Sequence, residues 1–369
     1  MSQTSQFPSY VGRLAPSPTG ALHLGNVRTF MVAWLRARSQ GGKMIFRMED
    51  LDHPKDKPGA AQQAVEDLRW LGFDWDEEYV QSARKHIYRA ALEGLLHPHQ
   101  APDTRHPNIQ TFKHSNTQTL PLVYPCVCSR RDVESAQSAP HAGEQLYYPG
   151  TCRGRFATWR EALEFKMASL GEHPKPQNLK TSNTPSPCWR FRVPKGTVVA
   201  FDDAFAGHYE QDVSKTLGDF PLARDEFGAG YTLACTVDDL LMGVTEVVRG
   251  DDLLAATPAQ ILLARALSER FRHRDTETRR EDGNALCLCD SVLKYCHVPL
   301  VVGKDGKRLA KRHGDTRIAT FREQGKTPEE IVGFLAASCG WAAKGERLSL
   351  TELLPRFDLS TIPHTPFMI

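Results

Sequence analysis

GRLAPSPTGALHLGN, residues 12–26, is the stretch whose reading decides the fold. Residues 11–15 are apolar enough for a short strand, and Pro16, Pro18 and Gly20 build a rigid turn directly after it. His23, Gly25 and Asn26 then open a helix over 26–39, with Val27, Phe30, Met31, Trp34 and Leu35 at helical spacing. Gly41 and Gly42 end that helix. Residues 43–50 alternate as a strand with Met44, Phe46 and Met48 on one side, and a second helix covers 59–71. Strand, helix, strand, helix in this order predicts an α/β fold with a parallel sheet and right-handed crossovers. The free N–H groups and positive dipole end of a helix at His23–Asn26 suit a phosphate, with Gly25 leaving room for a nucleotide and His23 donating to an oxygen. Taken alone, these four residues read better as a capped helix with a surface histidine.

Far downstream, VPLVVGKDGKRLAKRHGD (298–315) reads as an apolar strand over 298–302, a Gly-rich hairpin and a basic loop. Lys307, Arg308, Lys311 and Arg312 on such a loop would neutralise charge on a departing pyrophosphate. A solvated charge run is the plain alternative. Between these ends stand residues suited to an amino acid with a second carboxylate. Arg13 precedes the turn, and an arginine pairs well with a planar carboxylate. Glu49, in FRMEDLD, lies at the carboxyl end of the second strand, where ligands of parallel sheets bind, and accepts from an ammonium group. Tyr231 and Arg249 lie far off; their plain alternatives are a core aromatic and an arginine partnered with Asp251 or Asp252.

Several classes are excluded or constrained by composition. A net charge of +2 creates no global field for nucleic acid, so a tRNA would need a local basic patch. No apolar run reaches membrane-spanning length, and the polar start lacks a secretory pattern. Nine cysteines, an odd number in a long chain, suit reduced thiols and cytoplasm. Cys126 and Cys128, with Tyr148 and Cys152 after a loop, offer three thiolates and an oxygen to a zinc ion; unligated buried thiols explain the spacing as well, and His141 is a substitute ligand. Cys287 and Cys289 read as ordinary thiols. Polar stretches at 97–121 and 172–187 and a charged one at 268–283 read as surface excursions, 190–212 as strands with a hairpin turning at DDAFAG. Thr327, Pro328 and Glu330 start a last helix that ends near Gly340.

PSPTGALHLGN resembles the first signature of class I aminoacyl-tRNA synthetases (HIGH), and RLAKR the second (KMSKS), with Asn26, Arg308 and Ala310 departing from the usual letters. With RMEDLD and YTLACTVDDLLMGVTEVVRG added, the chain outside its insertions is similar to the glutamyl-tRNA synthetase family. That resemblance implies a Rossmann-type catalytic domain (8–97 and 216–303), an inserted acceptor-binding and zinc subdomain (98–215), and a basic loop with a helical C-terminal subdomain (304–369). It implies L-glutamate contacts at Arg13, Ala15, Ser17, Glu49, Tyr231 and Arg249. It puts ATP at His23, Gly25, Asn26, Arg308 and Lys311, with His23 and Lys311 catalytic and Mg²⁺ accompanying ATP. Zinc would fall to Cys126, Cys128, Tyr148 and Cys152, the phenol four residues before the last cysteine selecting Tyr148 over Tyr147. The short remainder after the basic loop, together with DLD and KRLAKRHGDTRI, resembles the truncated glutamyl-Q branch of the family. That likeness implies a monomer without an anticodon-binding region. It would activate glutamate without tRNA and pass it to the queuosine of tRNA(Asp). A short enzyme charging tRNA(Glu), and a non-catalytic tRNA-binding module, remain the alternatives.

Overall fold

A computed structural model describes residues 10–51, 56–96, 121–135, 146–169, 186–278, 293–307, 309 and 316–369, with 135 and 270–278 described by backbone alone. The first strand, β1 (Val11–Leu14), leads through the proline turn into α1 (Leu24–Arg38), β2 (Lys43–Met48), α2 (Ala60–Trp70) and β3 (Glu77–Val80). These strands form a parallel sheet in the order β1-β2-β3, as the alternation of patterns predicts. Val27, Met31, Trp34 and Leu35 of α1 are buried with Met44, Phe46 and Met48 of β2 in the largest core cluster, and Phe30 packs at its edge.

Helix α3 (Lys85–Leu96) follows, then β4 (Val123–Cys126), α4 (Arg130–Ser135), α5 (Trp159–Ser169) and β5 (Cys188–Phe191). β6 (Val198–Asp203) and β7 (Gly207–Asp212) make the hairpin that DDAFAG turns. After α6 (Val213–Thr216) come β8 (Phe220–Ala223), α7 (Tyr231–Leu241), β9 (Glu246–Gly250), α8 (Thr257–Thr278) and β10 (Lys294–Val298). Pairing does not follow chain order here. β8 joins β5 and β4 in an antiparallel sheet, while the earlier hairpin joins β10 and β9 in the order β7-β6-β10-β9. β9 begins beside β1: Thr245 donates its N–H to the Val11 carbonyl at 2.9 Å, and its hydroxyl accepts from Val11 N at 2.9 Å.

Two expectations need correction. The strand expected over 298–302 is two strands: β10 stops at Val298, and β11 (Val301–Val302) pairs with β12 (Phe367–Met368) in a separate sheet. Pro299 has no N–H to continue the ladder, and its carbonyl accepts from Arg28 Nη1 at 2.7 Å instead. The charged run expected as a surface excursion at 268–283 instead continues α8 as far as Thr278, since arginine and glutamate extend a helix readily, and 279–283 lie outside the described residues. The remaining helices are α9 (Ile318–Glu323), α10 (Pro328–Ala337) and α11 (Leu350–Leu353). Thr327 and Glu330 form the capping box of α10 that the sequence predicts. Arg28, 1% exposed, donates from Nε to Ser338 Oγ at 2.9 Å and so ties α1 to the end of α10. Among the described residues no helix is long and apolar enough to cross a membrane. The stretches 97–120 and 172–185, His141, Cys287, Cys289, Arg308 and Lys311 lie outside the described residues.

Candidate active site

The turn between β1 and α1 is held from both sides. Glu49 donates its N–H to the Pro16 carbonyl at 2.9 Å, and Lys57 N to Pro18 O at 3.0 Å. His23 caps α1: its Nδ1 accepts from Gly25 N at 3.1 Å, and Asn26 Oδ1 accepts from His23 N at 3.2 Å. Thus the capped-helix reading and the phosphate reading are compatible. With Nδ1 accepting, the neutral ring carries its proton on Nε2. A Cβ on Gly25 would lie 3.0 Å from His23 Cε1, so this glycine makes room first for the imidazole. The exit of the basic loop is laced onto the same turn, with Leu24 N donating to Thr316 O at 3.1 Å and Ile318 N to Leu22 O at 3.0 Å. Chain segments some 290 residues apart are thereby neighbours.

A cavity of about 550 Å³ opens over the carboxyl ends of β1, β2 and β9. Arg13, Ala15, Ser17, Glu49, Tyr231 and Arg249 line it, and His23, Gly25 and Asn26 line it too. The structure therefore brings together every described residue that the family resemblance implies for glutamate and ATP. Tyr231, the first residue of α7, is 45% exposed and so is not the core aromatic of the plain alternative. Arg249 is buried, yet pairs with neither Asp251 nor Asp252: Nε donates to His297 Nε2 at 3.0 Å, and Nη2 to Thr257 Oγ1 at 2.6 Å. Arg13 donates from Nη1 to Val248 O at 2.7 Å, while its buried Nε finds no hydrogen-bond partner among the described residues.

Charge is balanced behind the cavity wall by residues the sequence did not single out. Arg47 is fully buried and donates from Nη2 to Glu49 Oε1 at 3.0 Å and from Nη1 to Asp239 Oδ1 at 2.7 Å. Burial opposes its charge, but the Asp239 and Glu49 carboxylates hold the guanidinium well above its usual range. Cys235 donates its thiol to Glu49 Oε1 at 3.1 Å; burial and the Glu49 charge push its pKa up, keeping it a donor. Glu49 is thus an oriented anion at the cavity edge. Arg47 stands two residues before it in RMED, but only tertiary packing shows that Asp239 and Cys235 complete its setting.

A second cluster lies on β4 and the loop before α5. The sulfurs of Cys126, Cys128 and Cys152 lie within 4.8 Å of one another. The Tyr148 hydroxyl lies 3.2 Å from Cys126 Sγ and 3.7 Å from Cys128 Sγ, and accepts from Cys152 N at 3.0 Å. Three soft sulfurs with a phenolic oxygen form a donor set that fits a zinc ion. Neighbouring thiols, Cys128 first, hold the Cys126 pKa far below its usual range, and Arg190, donating to its sulfur at 3.2 Å, acts in the same direction. Gly218 (φ +65°) is required here, since a Cβ would lie 2.0 Å from the Tyr148 carbonyl oxygen. Cys188, which spacing passes over, stands opposite Cys126 in the β4–β5 register.

The family model described as "tRNA synthetases class I (E and Q), catalytic domain" matches residues 10–118 and 160–288. A Symbiobacterium thermophilum protein named Glutamyl-Q tRNA(Asp) synthetase is 39% identical, over 97% of this chain and 95% of its own length. A Rhodopirellula baltica protein of the same name is also 39% identical, over 98% and 97%. An Aquifex aeolicus Glutamate–tRNA ligase is 33% identical, but this chain spans 63% of it. Among solved structures, a glutamate tRNA ligase from Elizabethkingia meningosepticum in complex with its amino acid superposes with a TM-score of 0.68 at 24% identity, over 97% of this chain and 66% of that one, which shows the shared fold.

Proposed function

The chain belongs to the glutamyl-Q tRNA(Asp) synthetases of the class I synthetase family, and on that premise we propose that it activates L-glutamate with ATP and transfers it to the queuosine of tRNA(Asp). The observation that carries this reading is one cavity in which two arginines, an oriented Glu49 and the helix start at His23 converge.

In this reading Arg13 and Arg249 take the glutamate carboxylates and Glu49 accepts from its ammonium group, with Ala15, Ser17 and Tyr231 closing the pocket around it. ATP lies against His23, Gly25 and Asn26, with its phosphates at the N-terminus of α1. By the family resemblance Arg308 and Lys311, which lie outside the described residues, would serve its phosphates. The α-carboxylate attacks the α-phosphate in line, an acyl–phosphate bond forms, and the bond to pyrophosphate breaks. His23 Nε2–H and Lys311 face the charge that develops on the phosphate oxygens; catalysis is positioning and electrostatics. Mg²⁺ bound with ATP would supply charge neutralisation on its phosphates. A hydroxyl of the queuosine ring then attacks the acyl carbon of the mixed anhydride: an ester bond forms, the acyl–phosphate bond breaks, and AMP leaves as the hydroxyl gives up its proton. Zinc, held by Cys126, Cys128, Cys152 and Tyr148, would cross-link the inserted segment without touching substrate.

Two assays test this. Glutamate-dependent exchange of pyrophosphate into ATP is expected in the absence of tRNA. Glutamate should then attach to tRNA(Asp) carrying queuosine and not to tRNA(Asp) lacking it. Charging of unmodified tRNA(Glu) would overturn the acceptor assignment, and absence of exchange would overturn the activation step.

A further inference from the structure

Behind Arg249 lies a buried hydrogen-bonded chain that no part of the mechanism above uses. Asp203, at the end of β6, accepts from His297 Nδ1 at 2.6 Å and from His297 N at 3.0 Å. The same carboxylate accepts from Phe205 N at 3.0 Å and Ala206 N at 2.8 Å, so the hairpin turn fixes it. On the other side of the ring, Arg249 Nε lies 3.0 Å from His297 Nε2 and Thr257 Oγ1 lies 3.0 Å from it. Both His297 and Asp203 have fully buried side chains.

Donor inventory leaves one protonation state. Arginine only donates, so His297 Nε2 must offer a lone pair to Arg249. The Nδ1 proton then goes to Asp203. His297 is therefore neutral, in the Nδ1–H form. Arg249 spends Nε and Nη2 on this wall, and among the described residues its Nη1 makes no hydrogen bond. We propose that His297, oriented by Asp203, is a positioning residue for glutamate binding: it holds the Arg249 guanidinium so that its Nη1 edge serves the substrate carboxylate. This rests on the reading that Arg249 binds glutamate.

Protonation of His297 would set an N–H against an N–H and a cation beside Arg249. The groups facing the ring are Asp203 from β6, Arg249 from β9, Thr257 from α8 and Tyr295 from its own strand, with the Arg13 charge nearby. Burial lowers the His297 pKa below its ordinary 6.5, Asp203 opposes that, and Arg249 lowers it further. Glutamate affinity is therefore full at neutral pH and falls as pH drops through a value below 6.5.

The test is exchange kinetics between about pH 5 and about pH 8, with KM for glutamate and ATP measured separately. His297→Leu should raise KM for glutamate about tenfold and leave KM for ATP unchanged, as expected for one lost hydrogen bond to a charged group. His297→Gln, whose amide oxygen can accept from Arg249 without titrating, should recover most of that affinity and lack the acid limb of the parent. An unchanged glutamate KM in His297→Leu, or an acid limb retained in His297→Gln, overturns the proposal; the second criterion holds even if the leucine variant fails to fold. Histidine ¹⁵N spectra at neutral pH supply a readout independent of substrate: the His297 resonances, identified by their loss in His297→Gln, should show the neutral Nδ1–H form. An Nε2–H form overturns the proposal even if glutamate proves not to be the substrate. Absent exchange in the parent with the Nδ1–H form present would instead count against glutamate while retaining the Arg249 support.

Discussion

At the scale of single residues, the site is a set of charges that fix one another. Glu49 reads from the sequence as an ammonium acceptor, but an isolated carboxylate at a cavity rim would be mobile. Its geometry comes from Arg47 and Cys235, both of which donate to Oε1. Glu49→Gln keeps the shape and removes the charge, so exchange assays should show KM for glutamate rising by ~10–100-fold, the range for a charge-assisted hydrogen bond. Asp203 makes a prediction about stability. Burial raises its pKa, but the His297 hydrogen bond and three backbone N–H groups overcome this and bring it from 3.8 down to about 2. A carboxylate with a depressed folded pKa stabilises above its unfolded value and loses that contribution as pH falls through the folded one. Roughly 2 kcal/mol should therefore disappear between about pH 4 and about pH 2. Denaturant midpoints across that window should fall less steeply in Asp203→Asn than in the parent.

At the scale of elements, the start of α10 was legible because its capping box follows from local residue types, whereas α1 begins at Leu24, two residues before the expected start, because His23 and Asn26 close a capping box of their own. Gly25→Ala should push the His23 imidazole by a few tenths of an ångström, because the new Cβ would meet it at 3.0 Å. A drop of about tenfold in exchange kcat with the fold retained is expected for such a misplacement. Thr327→Ala removes the hydroxyl that accepts from Glu330 N at 3.3 Å, and should cost about 1 kcal/mol in equilibrium unfolding while exchange persists. Strand ends were harder to read. Val298, Leu300, Val301 and Val302 look like one apolar run, but Pro299 breaks the ladder and the last two valines pair with Phe367 and Met368. Periodicity carries no information about a partner sixty-six residues away.

On the scale of the whole molecule, the cysteine cluster is the clearest case of assembly from distant parts. Tyr148 is positioned by Leu217–Asp219: its N–H donates to Leu217 O at 3.0 Å, and its carbonyl accepts from Asp219 N at 3.4 Å. The purified chain is expected to hold one zinc per molecule by elemental analysis, as a single four-donor site requires. Cys152→Ser should lose it. Gly218→Ala should lower the metal content as well, because its Cβ would collide with the carbonyl of Tyr148. Full zinc occupancy in Cys152→Ser would sink the assignment.

The sequence by itself determined the α/β class, the opening strand–turn–helix and the residue types of both clusters, because turn chemistry, caps and periodicity are local properties of the chain. Only the tertiary structure decided that Arg249 answers to His297 and Asp203, that Asp239 and Cys235 complete the setting of Glu49, and that Thr316 and Ile318 are laced onto the HLGN turn. Such contacts join residues separated by tens to hundreds of positions. Their partners are selected by sheet order and buried charge balance, which no window of sequence contains.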